Sequence, residues 1–127
     1  MSRLAEDSKA FGAIGEELAC QLLRRGGYKI LLRNYTCSLG EIDLIAREKD
    51  VLVFVEVKSR RSLSAGEPVE SVTYHKRAQI IRCANYYLSR FNLHDRPCRF
   101  DVVSVKMDSD GQIDAHIIRD AFSVGRF

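Results

Sequence analysis

The chain has 127 residues, of which 46% are hydrophobic and 29% charged, with a formal net charge of +3. That length suits one domain, residues 1–127, and the apolar content can bury a core without disulfide or metal staples. No apolar run approaches the length of a membrane span, and the mildly basic balance fits nucleic acid as it fits many other partners.

The opening "MSRLAEDSKAFGAIGEELA" lacks the apolar core of a signal peptide. Cys20, Cys37, Cys83 and Cys98 form no C-x-x-C pair, and no histidine stands at a zinc-ligand spacing from them. A cytoplasmic protein with reduced thiols is expected, with Cys37 the most exposed of the four.

From residue 9 to 25, Phe11, Ile14, Leu18 and Leu22 fall at helical spacing, and Gly26-Gly27 ends the helix. "YKILLRNY" reads as a strand and "CSLG" as a loop. "EIDLIAR" and "VLVFVEVKS" are two further strands around a turn at Lys49 and Asp50. Residues 59–68, "SRRSLSAGEP", have loop composition. A second helix is expected over residues 72–91, with Tyr74, Ala78, Ile81, Leu88 and Phe91 on its apolar stripe. "CRFDVVSVK" and "IDAHIIR" are strands joined by a turn at Asp108 to Gly111. The order α-β-β-β-α-β-β predicts an α/β protein with a central mixed sheet flanked by helices, the second helix allowing a parallel crossover.

A hairpin centred between Lys49 and Asp50 sets Ile42, Leu44 and Ala46 against Val57, Val55 and Val53 on one apolar face. The other face pairs Ile45 with Phe54, Asp43 with Glu56, and Glu41 with Lys58. A slip of one residue would mix the two faces. In this register the Asp43 and Glu56 Cβ atoms lie roughly 4.5–5.5 Å apart. Like charges that close are destabilising unless neutralised, and a divalent cation with a preference for oxygen ligands would do so. Lys58, on the same face, could orient or deprotonate a water or stabilise charge on a phosphorus centre. Composition and register leave a second reading open, a solvated salt-bridge lattice at a strand end. Arg60 and Arg61, directly after the acidic strand, suit a phosphate-bearing ligand.

"GEIDLIA" followed by "VFVEVKSR" resembles the YraN family of small bacterial proteins, predicted endonucleases with a restriction-endonuclease-like fold. "GAIGEELA", "GYKILLRNY", "GEPVESVTYHKRAQI" and "RFDVVSV" extend the resemblance over nearly the whole chain. The resemblance implies the PD-(D/E)XK arrangement, with Asp43 and Glu56 holding Mg²⁺ or Mn²⁺ and Lys58 assisting the attacking water. It further implies that Glu16 completes the metal shell and that Lys76 and Gln79 flank the site from the second helix. Cys37 and Leu39, before "GEID", depart from the basic or small polar residues frequent there. The expected activity is metal-dependent hydrolysis of DNA, branched or damaged DNA included; the alternatives are a non-cleaving nucleic-acid-binding protein and a protein-interaction module. Related resolvases cut two strands, which makes a homodimer an expectation although no interface is visible in the sequence.

Overall fold

The computed structural model describes residues 3–61 and 72–123, the side chains of residues 3–9 excepted. Helix α1 spans Arg3–Arg25, followed by strands β1 (Lys29–Cys37), β2 (Gly40–Glu48) and β3 (Val51–Arg61), helix α2 (Tyr74–Arg90), and strands β4 (Cys98–Met107) and β5 (Ile113–Phe122). The order α-β-β-β-α-β-β is the one expected.

Strand order in the sheet follows the chain, β1-β2-β3-β4-β5. Only β3 and β4 run parallel, and α2 makes the connection between them. Parallel neighbours need such a crossover, whereas the antiparallel pairs close through short turns. Alternation along β3 sends Leu52 and Phe54 to one face and Val53 and Val55 to the other. The first face packs under α2, through Ile80, Ala84 and Leu88; the second packs under α1, through Ala19, Cys20 and Leu23.

The buried stripes include the expected Phe11, Ile81 and Leu88, and elsewhere sit about one residue from the expected positions. On α1 the buried set is Phe11, Ala19, Cys20 and Leu23, while Ile14 is half exposed. On α2 it is Ile80, Ile81, Cys83, Ala84, Tyr87 and Leu88, and Tyr74 and Phe91 at the two ends are exposed. Small residues explain the offset, because Ala and Cys let the helices approach the sheet closely and so set which line of side chains faces it. α1 also starts six residues early, through Leu4, Ala5 and Glu6, which favour helix. It ends as expected: Gly27, at φ +91°, follows the last turn, and the N–H of Tyr28 bonds back to the Leu23 carbonyl. α2 starts two residues late, because Thr73 caps it by accepting from the Lys76 N–H.

The loop expected over residues 59–68 falls mostly outside the described residues, and its first three are strand. Ser59, Arg60 and Arg61 continue β3 in parallel register with Val105, Lys106 and Met107. The exposed cysteine is Cys98, at the start of β4, whereas Cys37 is half-buried and hydrogen-bonded to the Cys83 thiol. No helix among the described residues is long and apolar enough to cross a membrane.

Candidate active site

The β2–β3 ladder has the expected register: Leu44 faces Val55, Ile45 faces Phe54, and Ala46 faces Val53. It stops at Leu44–Val55, one pair short of the two acids. Beyond that point the Val57 N–H donates to Asp43 Oδ2 at 2.8 Å instead of continuing the ladder. The alternation of faces breaks at the same place. Ile42, expected beside Leu44 and Ala46, packs on the α2 side with Ile45 and Phe54. β2 therefore leaves β3 at Asp43, and a cleft of about 510 Å³ opens there.

Four elements wall this cleft. α1 supplies Gly12 and Glu16, β2 supplies Asp43, and β3 supplies Glu56 to Ser59. Thr73 and Lys76 come from the start of α2. α1 can reach β3 because Gly15 has no side chain: a Cβ there would stand 1.9 Å from Ser59 Oγ.

The Asp43 and Glu56 carboxyl groups adjoin closely enough for each to shift the other's titration. Burial, then the Asp43 charge, push the Glu56 carboxyl up to about 8, against the pull of Lys76 and Lys58. Burial also raises Asp43, although the Val57 N–H favours its charged form. Glu56 Oε2 is buried and receives no donor from the described residues, so it calls for a proton, a cation or an ordered water from the cleft. Lys76 Nζ lies 3.7 Å from Glu56 Oε1, a partly exposed ion pair that balances some of the charge.

Of the residues expected at the site, Asp43, Glu56, Lys58, Glu16 and Lys76 line this one cleft. The charge of Asp43 reaches Glu16 across the cleft. The Glu16 carboxyl accepts a hydrogen bond from the Asn34 side chain, and burial raises its pKa. Glu17 points away to Arg33 at 2.9 Å, as a rotation of about 100° per helical residue requires. No group of three or more His, Cys, Asp or Glu side chains among the described residues forms a ready metal cage. The pair nonetheless suits Mg²⁺, which is usually held by one or two carboxylates with waters and substrate phosphates filling the remaining positions. Gln79 packs on the backbone of Gly40, where a Cβ would lie 2.6 Å from its side-chain nitrogen. It braces α2 against the start of β2 and lies outside the cleft. Arg60 and Arg61 line an adjoining pocket, with the Arg61 guanidinium 4.8 Å above the Phe11 ring.

A second polar cluster was not anticipated from the sequence. Asp101 is fully buried and binds Arg99 through both oxygens at 2.8 Å. It also accepts from the Tyr28 hydroxyl at 2.6 Å and from the Asp120 N–H at 3.0 Å. Glu48 joins Arg99 at 2.8 Å and Arg119 at 2.7 Å. Burial alone would raise the Asp101 carboxyl, but Arg99, Tyr28 and the Asp120 N–H outweigh it and hold it below the ordinary aspartate range. The Asp101 carboxylate is thus matched by donors from within the fold, and the cluster ties the start of β1 to β2, β4 and β5. The one sequence signal was an aspartate inside the apolar run "RFDVVSV".

Residues 15–105 match the model of the uncharacterised protein family UPF0102. The chain belongs to that family. It is 45% identical over 115 residues to a UPF0102 protein of Symbiobacterium thermophilum, covering 91% of this chain and 98% of the relative. A UPF0102 protein of Clostridium perfringens is 43% identical over 118 residues, with 92% and 97% coverage. One from Moorella thermoacetica is 46% identical over 112 residues, with 87% and 93% coverage. The UPF0102 match is the family to which the YraN resemblance pointed. It spans Glu16, Asp43, Glu56, Lys58 and Lys76.

Proposed function

We propose that this UPF0102 protein is a metal-dependent endonuclease that hydrolyses DNA phosphodiester bonds at the Asp43–Glu56 cleft. The observation that carries this reading is the contact between two carboxyl groups in an open, lysine-flanked cleft. A structural carboxylate is normally matched to donors, as Asp101 is to Arg99 and Tyr28. Asp43 and Glu56 are instead matched to each other, and the pair is stable only while it holds a proton or a cation.

Bound Mg²⁺ or Mn²⁺ would supply Lewis acidity toward a phosphodiester oxygen and make an attacking water more acidic. The chain's own residues account for the rest. Asp43 is fixed by the Val57 N–H, so its free oxygen keeps one orientation. Lys58 and Lys76 bring two cations to the cleft, able to hold the non-bridging oxygens and stabilise added negative charge. The capped N-terminus of α2, at Thr73, adds backbone N–H groups of the kind that favour phosphate.

The test is cleavage of linear, single-stranded and four-way-junction DNA with Mg²⁺ or Mn²⁺, beside a Glu56→Ala control. Metal-dependent products from the parent and none from the variant support the proposal. No cleavage of any substrate, or cleavage unchanged in Glu56→Ala, overturns it; salt-dependent DNA binding without cleavage would favour the binder.

A further inference from the structure

The acidic cleft is not closed at its α1 side. Gly12 and Ser59, two of its wall residues, also wall a second pocket of about 270 Å³, completed by Phe11, Arg60 and Arg61. The first space has Asp43 and Glu56 in its walls; the second, among the described residues, is lined by Arg60 and Arg61 and by no acid. We infer that this second pocket is a subsite for a neighbouring phosphate of the same nucleic-acid strand, and that the strand reaches it by passing over Gly12. The inference rests on the nuclease reading and extends it to the path of the substrate.

Two glycines one helical turn apart on α1 do different things. Gly15 is needed for packing, since its Cβ would collide with Ser59. Gly12 is on the same side of the helix, three residues earlier, yet a Cβ there would meet nothing within 4 Å. Packing among the described residues therefore gives no reason for a glycine at position 12, and a glycine inside a helix costs about 1 kcal/mol relative to alanine. What its bareness provides is an unobstructed passage between the two pockets. At the far end the Arg61 guanidinium lies over the Phe11 ring, and no carboxylate among the described residues pairs with it. Stacking on the ring holds the guanidinium plane while leaving its edge N–H groups to donate, the geometry in which arginine grips phosphate.

The experiment compares Gly12→Ala, Gly12→Trp and Arg61→Ala with the parent. Binding of a labelled single-stranded oligothymidylate is measured by fluorescence anisotropy in Ca²⁺ over a range of salt, with thermal unfolding of each protein. Gly12→Trp should weaken binding roughly tenfold or more, a loss equivalent to one charge-assisted contact, with an unfolding midpoint no lower than the parent's. Gly12→Ala should bind within about twofold of the parent. Arg61→Ala should lower the slope of log K against log salt by about 0.7, the share of one single-strand phosphate. Parent-like binding by Gly12→Trp, or an unchanged slope for Arg61→Ala, overturns the subsite while leaving the nuclease reading in place. Equal losses in Gly12→Ala and Gly12→Trp, or losses that track a lowered unfolding midpoint, overturn it as well. A parent protein that binds no oligonucleotide removes both readings together.

Discussion

Glu56 sits in a central strand of the sheet with its carboxyl group beside that of Asp43, and burial and that neighbour push it up to about 8. Its folded value is thus above the ordinary value of 4.5, so folding favours the protonated form. The stability linked to that proton is complete below about 4.5 and is lost as pH rises towards about 8. Glu56→Gln keeps the shape and removes the titration. Chemical denaturation of both proteins between pH 5 and pH 8 should show the variant gaining on the parent, by roughly 2–4 kcal/mol across the range. Parallel pH profiles would contradict the raised Glu56 titration.

Lys76 pulls in the opposite direction. Its ammonium, 3.7 Å from Glu56, favours the charged carboxylate. Lys76→Met should therefore move the Glu56 titration, followed by carboxyl carbon NMR, to still higher pH. Because Lys76 is about one-third exposed, the stability change should stay below about 1 kcal/mol.

Gly15→Ala tests how α1 is seated. The added methyl carbon would meet Ser59 Oγ at 1.9 Å and Cβ at 3.0 Å, so the expected outcome is a loss of roughly 1–3 kcal/mol despite the better helix propensity of alanine. Adding Ser59→Gly removes both clashing atoms and should recover part of that loss. A double mutant no more stable than Gly15→Ala would mean that the close approach is not what position 15 provides.

The element order and the β2–β3 register were readable in the sequence because both follow from apolar periodicity. A one-residue slip would have turned Leu44 and Val55 out of the core, although a slip of two would not, so hydrophobicity narrowed the register and placed Asp43 and Glu56 near each other without fixing them as ladder partners. Periodicity does not report where a ladder stops. The parting of β2 from β3 depends on Asp43 capturing the Val57 N–H, a side-chain event that also carried Ile42 to the α2 face. The helical stripes were only partly legible for a related reason: Phe11, Ile81 and Leu88 are buried as expected, but Ala19, Cys20 and Ala84 are small, and a reading weighted to large apolar residues passes over them. Gln79 was expected beside DNA and packs on Gly40, a contact between residues 39 positions apart that no local pattern encodes.

Asp101 provides the opposite pH behaviour to Glu56. Its folded pKa is lowered, so its contribution is present above the ordinary aspartate value and is lost as pH falls through the folded one. Asp101→Asn would leave Glu48 as the carboxylate paired with Arg99 and put a neutral amide in the buried position. Denaturation near neutral pH should show a loss of about 3–5 kcal/mol, the usual cost of breaking a buried ion pair from one side. The acid limb of the stability profile should flatten in the same variant. A loss below 1 kcal/mol would mean the cluster is dispensable to the fold.

The central claim is that Asp43 and Glu56 together form a cation site, and calorimetric titration with Mn²⁺ tests it most directly. The parent should give a saturable one-site binding heat. Asp43→Asn and Glu56→Gln should each abolish that heat while remaining folded by circular dichroism. An absence of binding to the parent, or binding that survives undiminished in both variants, would contradict the account.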